Sequence, residues 1–317
     1  MGHIAFNQVT HTLIEPNRRL VRVSSLGDFR TSPRHWIHHQ ITPKEETPMM
    51  ALGSQVHAAL LEPAKFDETY YVAEETTLPE TIEEIRDWIR ARGGEPKGTK
   101  KEQVIEIARS IDPMFHTRST WLAARQGARK LVSREDWEII EKSVQSVHRH
   151  PFANKLMFNP EDQYRIEERM YADMPGIDFT LTGQPDMVNM SKRLCIEVKR
   201  SFATSAQAFA GHAYRMGYHV QAAAYTEMLS AVHGAPFGFV WVVIEANAPH
   251  SVSVFMPDDA MLDAGRLELK GIMSRLDTCL KDDRWPGPGG FEIETISLTS
   301  WQLQEALNAG PAEEFGV

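Results

Sequence analysis

The hydrophobic pattern of this chain changes its period near residue 160, and this change constrains the fold more than any other feature. Before that point apolar residues recur at helical spacing, as Leu52, Val56 and Leu60 do. From Tyr164 onwards apolar and polar residues alternate, which is typical of a strand with two different faces. The sequence therefore predicts a helical first half, followed by strands with helices between them.

The same reading gives approximate bounds for the main elements. The turn Asp173–Gly176 predicts a hairpin connection, and the Pro/Gly cluster at 286–290 predicts a linker before a tail with a short helix. Helical patterns cover residues 24–40, 52–60, 82–89, 104–108, 121–148, 220–228 and 258–280, and strand patterns cover 164–171, 177–181, 194–199, 237–244 and 251–256.

Composition narrows the class of protein. Of the 317 residues 42% are hydrophobic and 24% are charged, which excludes a disordered or fibrous chain. The formal charge of −9 excludes a surface coated in basic patches, but a local cationic stripe for nucleic acid remains compatible with it. Two cysteines exclude a disulfide scaffold, and no apolar run approaches the length of a membrane span. We therefore expect a cytoplasmic protein of roughly two domains, or of one domain with a large insertion.

A pair of acidic residues and a lysine form the strongest candidate site. Pro185-Asp186 is followed, after ten intervening residues, by Glu197-Val198-Lys199. On a strand Glu197 and Lys199 share one face, and a twisted hairpin brings the Asp186 carboxylate towards Glu197. Two carboxylates that repel each other favour a divalent cation such as Mg²⁺ or Mn²⁺. With Lys199 to orient a water or stabilise charge, the set suits phosphodiester hydrolysis; a solvated strand face is the alternative.

Three further features strengthen this interpretation. His57 lies one helical turn after Gly53 and could complete the coordination of a metal, although a core histidine would show the same pattern. Glu168 falls on the apolar face of the predicted strand, where a carboxylate needs a partner, unless the facing is misjudged by one residue. One helix face carries Tyr218, Gln221 and Tyr225, which could equally be ordinary packing.

Together these motifs resemble the PD-(D/E)XK nuclease superfamily, and in particular the RecE (exonuclease VIII) type of phages and prophages. Glu197 stands where RecE has Asp. The resemblance runs in order through most of the chain and is carried by the segments 24–36, 52–63 (LGSQVHAALLEP), 184–186 (QPD), 197–199 (EVK), 218–225 (YHVQAAAY), 285–286 (WP) and 296–298 (ISL).

The resemblance implies an α/β (α+β) fold, in which a mixed central sheet of the restriction-endonuclease kind is flanked by helices. It implies a metal-dependent exonuclease that degrades double-stranded DNA from its ends, 5′ to 3′, beside a single-strand annealing recombinase and as a ring-shaped homo-oligomer. The implied metal ligands are His57, Asp186, Glu197, the Val198 carbonyl and Glu168; the implied catalytic set adds Lys199, Gln221 and Tyr225.

Residues 79–118 are predicted to be an inserted unit. Residues 81–109 resemble a SAP-like helix–turn–helix, and a solvated helical hairpin is the alternative. Its cations predict a DNA-binding surface: Arg90, Arg92, Lys97, Lys100 and Lys101. The expected organisation is an N-terminal helical part of the nuclease domain (1–78), the insertion (79–118), the nuclease core (119–285), and a linker with a tail (286–317).

Two alternatives to an end-dependent exonuclease remain open. One is a RecB-like or structure-specific endonuclease of the same superfamily. The other is a DNA-binding module that keeps the fold without catalysis, against which the intact Asp186, Glu197 and Lys199 speak.

Overall fold

The structure is a computed structural model that describes residues 19–42, 45–291, 293 and 295–308. Residues 1–18 of the expected N-terminal part and 309–317 of the expected tail lie outside the described residues. The strands are β1 (Arg19–Arg22), β2 (Tyr70–Val72), β3 (Lys130–Val132), β4 (Tyr164–Ile166), β5 (Met170–Asp173), β6 (Phe179–Gly183), β7 (Met187–Asn189), β8 (Leu194–Ser201), β9 (Gly238–Glu245) and β10 (Val252–Phe255).

Helices surround these strands. They are α1 (Leu26–Thr31), α2 (Pro33–Ile41), α3 (Pro48–Leu61), α4 (Pro63–Thr69), α5 (Ile82–Arg90), α6 (Lys101–Ile111), α7 (Arg118–Gln126), α8 (Arg134–Arg149), α9 (Pro151–Met157), α10 (Ala206–Met216), α11 (Tyr218–His233), α12 (Asp259–Asp282) and α13 (Ser300–Asn308). Among the described helices, none combines the length and the apolar character that a bilayer span requires.

The central sheet has five strands in the order β10-β9-β8-β7-β4. Strands β8 and β9 are parallel, and the other neighbouring pairs are antiparallel. A second sheet has the order β1-β6-β5, with β1 parallel to β6, and a third consists of the parallel pair β2 and β3. The expected mixed sheet flanked by helices is therefore confirmed.

Alternate residues of β8 belong to two different cores. Cys195 packs with the side chains of α1, α11 and α12, whereas Ile196 and Val198 pack with those of α3, α8 and α9. Since side chains alternate along a strand, Glu197 and Lys199 project from the same face as Cys195. The two apolar anchors thus fix β8 while its charged residues face α11.

The segment between β2 and α7 has a small core of its own. Ile85 and Ile89 of α5 pack against Val104 and Ala108 of α6, and all four are fully buried. Thr81 begins α5 with a capping box, because its side chain accepts the N–H of Glu84 while the Glu84 carboxylate accepts the N–H of Thr81.

Two predicted elements are divided in the structure. The predicted helical stretch 121–148 is divided into α7 and α8 by strand β3, which pairs with β2. The predicted strand 164–171 is divided into β4 and β5, which join different sheets, because Glu167 adopts a positive φ of 49°. The period-two pattern continues through this break, so alternation along the chain does not indicate it.

Candidate metal centre

Three acidic residues lie in a row across three neighbouring strands. In the antiparallel pairs Ile166 lies opposite Met187, and Met187 lies opposite Ile196. One residue beyond these pairs, Glu167, Asp186 and Glu197 therefore occupy the same level of the sheet. The N–H of Glu167 donates to the Asp186 carbonyl over 3.1 Å, which extends the ladder to that level.

Backbone hydrogen bonds hold the Asp186 and Glu197 carboxylates in place. The N–H of Asp186 donates to Glu197 Oε1 over 3.2 Å, and the N–H of Val198 donates to Asp186 Oδ2 over 2.7 Å. Each strand thus fixes the carboxylate of the other. Both residues are buried, with 8% of Asp186 and 2% of Glu197 exposed, so neither is a solvated strand-face residue.

A histidine from a distant helix reaches this row. Helix α3 begins at Pro48 after the Thr47 cap and carries His57 in its last two turns. His57 Nδ1 lies 3.4 Å from Asp186 Oδ1. Among the described residues His57, Glu167 and Asp186 form a group that could hold a metal, with one ligand atom from each within 4.8 Å of the others.

Lys199 completes the arrangement from β8. Its Nζ donates to Glu197 Oε2 over 2.7 Å and lies 5.1 Å from the centre of the Tyr218 ring. The lysine side chain is 17% exposed, so its charge is held in a largely dry setting beside the carboxylates. Tyr218 is the first residue of α11, and its ring faces the Lys199 ammonium.

The charges of this cluster shift one another's pKa values. Burial, and then the neighbouring Asp186 charge, raise the pKa of Glu197 to about 7. Burial also works to raise the pKa of Asp186, but His57 and Lys199 hold that pKa below its ordinary value. For His57 burial works downward, yet the Asp186 carboxylate raises the pKa of the imidazole above its usual range.

The lysine shows the same balance as His57. Burial works to lower the pKa of Lys199, but Glu197 and Asp186 raise it above its ordinary value, so the ammonium stays charged. The Lys199 ammonium lies among several carboxylates, one of which, Glu197, resists ionisation. A divalent cation bound there would reduce the repulsion between the ionised carboxylates.

Tyr225 and Gln221 lie next to the row on α11. The Tyr225 hydroxyl lies 3.4 Å from the Gln184 carbonyl, and the Gln221 side chain hydrogen-bonds the same phenol. A Cβ at Gly183 would come within 2.6 Å of the Tyr225 ring, so glycine permits this close packing. Tyr225 therefore contacts the end of β6, which leads towards Asp186, and Gln221 holds the Tyr225 phenol.

Glu167 joins the cluster, whereas the sequence analysis expected Glu168 to do so. The prediction that Glu168 lies on an apolar face is wrong: its side chain is 54% exposed and pairs with Arg165 over 2.7 Å. Glu167 takes this place instead, and its carboxylate accepts the Gln184 amide over 2.9 Å. The register of β4 against β7 would have identified Glu167. Alternation along one β-strand does not contain this register, because it carries no information about the partner strand.

A cleft of about 250 Å³ opens beside the row. Two exposed arginines, Arg22 and Arg169, line it together with polar groups, and Arg169 donates to Gln184 Oε1 over 3.1 Å. The remaining lining residues are Ser24, Thr182, Gly183, Gln184 and Tyr225. Cations and hydroxyls of this kind suit a phosphate backbone.

Several predicted DNA-binding cations of the insertion have acidic partners. Arg90 pairs with Asp87 over 2.6 Å, and Lys97 pairs with Glu95 over 3.0 Å. Lys101 donates to Glu80 over 2.6 Å, and this pair is partly buried. Arg92 stacks on the Trp88 ring at 3.9 Å, and Lys100 is exposed. The side chains of the Lys97–Glu95 pair are 79% and 80% exposed, so a phosphate can still reach Lys97, and we take Lys97 and Lys100 as the cations best placed to meet one.

The donor set fits a hard divalent cation. Two carboxylates and an imidazole converge, and a third carboxylate, that of Glu197, lies at the same level. Oxygen-rich sites with one imidazole suit Mg²⁺ or Mn²⁺, and no thiolate that would favour a softer metal belongs to the group. The structure shows the Val198 N–H bound to Asp186, and ligation by the Val198 carbonyl stays a prediction.

Comparison with known proteins gives independent information on the family of this chain. A model of the family described as a PDDEXK-like domain of unknown function (DUF3799) matches residues 22–297. Among curated proteins, none matches this chain at a significant level.

Two solved structures show the extent of the structural similarity. A protein from Eubacterium rectale, provisionally named an exonuclease, has 11% identity and a TM-score of 0.52, covering 89% of this chain and 91% of its own. A phage-related exonuclease from Haemophilus somnus 129PT has 14% identity, a TM-score of 0.29, and covers 65% and 97%. The first similarity concerns the fold, and the second is too distant to carry an argument.

Proposed function

This chain belongs to the PDDEXK-like family matched over residues 22–297, and on that premise we propose that it is a metal-dependent DNA exonuclease. The proposed reaction is hydrolysis of phosphodiester bonds from the ends of double-stranded DNA, which exposes single strands for recombination. The observation that carries the proposal is the row of Glu167, Asp186 and Glu197 with Lys199 beside it.

The proposed metal ligands are His57, Asp186, Glu197 and Glu167, where Glu167 replaces the Glu168 of the sequence-based expectation. A bound Mg²⁺ or Mn²⁺ would polarise a phosphoryl oxygen and lower the pKa of a coordinated water. Backbone N–H groups already orient Asp186 and Glu197, so little rearrangement of these side chains is needed on binding.

Lys199 is the proposed catalytic lysine. Its raised pKa keeps the ammonium protonated at neutral pH, so it acts as a fixed positive charge and hydrogen-bond donor rather than as a base. A donor of this kind, buried beside the reacting phosphate, stabilises the charge that develops on the phosphoryl oxygens. It also positions an attacking water through one of its remaining protons.

DNA is proposed to approach along the arginine-lined cleft. Arg22 and Arg169 offer phosphate contacts next to the acidic row, and Gln221 with Tyr225 supports that wall. The cationic surface of the insertion, centred on Lys97 and Lys100, would add sequence-independent affinity for the duplex.

The finer parts of the proposal rest on the resemblance to RecE-type exonucleases. They are the 5′-to-3′ direction, an annealing recombinase as partner, a ring-shaped homo-oligomer and a cytoplasmic location. An endonuclease with the same centre is the second candidate, because the acidic row and Lys199 serve hydrolysis of an internal bond equally well.

Linear and covalently closed duplexes of the same sequence separate the two candidates. We expect an end-labelled linear duplex to be degraded in Mg²⁺ and to stay intact in chelator. We expect the closed circle to stay uncut in both conditions. The position of the label that is released first gives the direction. Cutting of the closed circle would favour the endonuclease, and no hydrolysis of either substrate in Mg²⁺ or Mn²⁺ would contradict the proposal.

A further inference from the structure

An apolar slot of about 220 Å³ lies behind the Pro185-Asp186 motif, where β4 and β5 part to join different sheets. Its apolar lining comes from β5, β7 and the last turns of α11. Three basic residues and one acid form its rim: Arg165, Arg169, His233 and Glu168. The apolar residues are Met170, Tyr171, Pro185, Val188, Leu229 and Val232.

The slot and the arginine-lined cleft share one lining residue, Arg169, so they are adjacent. Arg169 donates to the Gln184 side chain, and Gln184 donates to Glu167 of the acidic row. A strand whose phosphate contacts Arg169 would therefore be adjacent to both the metal centre and the slot.

The chemistry of the slot matches one unpaired nucleotide. The volume is below the range of about 300–1,000 Å³ that accommodates drug-sized ligands, so it suits a single flat ring system. Tyr171 is 40% exposed and Val232 is 51% exposed, which leaves an aromatic and an aliphatic surface accessible to a base. Base stacking on an aromatic ring with nearby cations for the backbone is a common mode of single-strand binding.

We infer that this slot receives one nucleobase of an unpaired DNA strand, with Tyr171 as the stacking platform and Arg169 on the adjoining phosphate. The inference rests on the proposed function and names the part of the substrate that the slot takes. Glu168 does not oppose it, because the Arg165 guanidinium neutralises that carboxylate at 2.7 Å. The slot would hold the strand in register with the acidic row.

An abasic scan tests this inference without relying on hydrolysis. The probe is a short, fluorescein-labelled single-stranded thymidine oligonucleotide, titrated in chelator by fluorescence anisotropy, together with versions that lack one base at successive positions. We expect one position at which loss of the base weakens binding to the wild type by about ten-fold.

In variants of the slot, removal of the base at that oligonucleotide position should not weaken binding further. Tyr171→Ala is expected to weaken binding of the intact strand by about ten-fold and to show no further loss with the abasic strand. Tyr171→Phe keeps the ring and is expected to bind as the wild type does. Val232→Trp, which fills the slot from α11, provides a second variant with the same expected loss. Phe152→Ala removes an aromatic side chain of similar exposure, 58%, outside the slot and is the matched control.

Each outcome decides the matter. The inference is overturned if no abasic position weakens binding, if the wild type does not bind the oligonucleotide, or if the losses from Tyr171→Ala and from the missing base multiply independently. Hydrolysis of linear duplex by the wild type is measured in parallel. A chain that degrades duplex but shows no abasic effect refutes the slot alone, whereas a chain that binds through the slot without hydrolysis refutes the proposed function alone.

Discussion

Asp186 and Glu197 lie one residue beyond the Met187–Ile196 pair, at the open end of the β7–β8 hairpin, and the N–H of Asp186 donates to the Glu197 carboxylate over 3.2 Å. The same contact that fixes the geometry also keeps two acidic groups close together in a buried setting. The resulting electrostatic strain is relieved by Lys199 on one side and His57 on the other.

Removal of the lysine should abolish hydrolysis with little effect on binding. We expect Lys199→Ala to lower the single-turnover rate on linear duplex by about 10²-fold or more, because a buried positive charge beside the reacting phosphate is lost. Duplex affinity, measured in chelator, should stay close to that of the wild type. Thermal melting of the variant controls for folding, and a rate within about three-fold of the wild type would contradict the assigned role.

The two adjacent glutamates should behave differently. Glu167→Gln is expected to weaken Mn²⁺ binding, measured by titration calorimetry, by at least about ten-fold, because its carboxylate belongs to the cluster. Glu168→Gln is the matched control and should bind Mn²⁺ as the wild type does, since Glu168 is exposed and paired with Arg165. Equal losses in the two variants, or a loss only in Glu168→Gln, would contradict the assignment of Glu167 to the metal centre.

The stability of the metal-free protein should fall as pH rises through neutrality. The pKa of Glu197 is raised to about 7 in the fold, so the folded state resists the ionisation that the unfolded chain undergoes near 4.5. His57, whose pKa is also raised, acts in the same direction. The favourable contribution is complete below the unfolded value of Glu197 and is lost as pH rises through about 7.

This pH effect can be measured by denaturant unfolding in chelator at about pH 5 and about pH 8, with an expected loss of a few kcal/mol. Glu197→Gln should remove much of the difference, because the amide does not titrate. Saturating Mn²⁺ should also reduce it, since bound metal stabilises the ionised cluster. A stability that rises over this range in the metal-free wild type would contradict the arrangement.

The insertion should contribute electrostatic affinity for duplex DNA. We expect the double variant Lys97→Ala/Lys100→Ala to weaken duplex binding and to reduce the slope of log affinity against log salt by about two. The control is Lys142→Ala on α8, an exposed lysine that contacts Glu138. Unchanged affinity and slope across the salt series would remove the insertion from the DNA-binding surface.

Much of this arrangement was accessible from the sequence because it is encoded locally. The ten-residue spacing between Asp186 and Glu197 fits a short hairpin, and alternation along β8 predicts that Glu197 and Lys199 share a face. His57 is a candidate ligand from the sequence as a helical histidine one turn after Gly53, and the resemblance of its helix supports that role, but nothing local connects residue 57 with residue 186.

The errors arose where long-range pairing decides the structure. Glu167 joins the cluster because β4 ends at Ile166 and pairs with β7, a register that spans about twenty residues of intervening chain. Strand β3 forms because β2, some sixty residues earlier, offers a partner. In the insertion, Arg90 and Lys101 form ion pairs with Asp87 and Glu80, and the composition alone does not show these pairs.

The most direct test of the account is the rate of hydrolysis of an end-labelled linear duplex across a Mg²⁺ titration, with wild type and Asp186→Asn prepared in parallel. The account predicts a rate that rises from nothing in chelator to saturation for the wild type, and a loss of about 10²-fold or more for a variant that still melts cooperatively. Hydrolysis that continues in chelator, or an Asp186→Asn variant as active as the wild type, would contradict it.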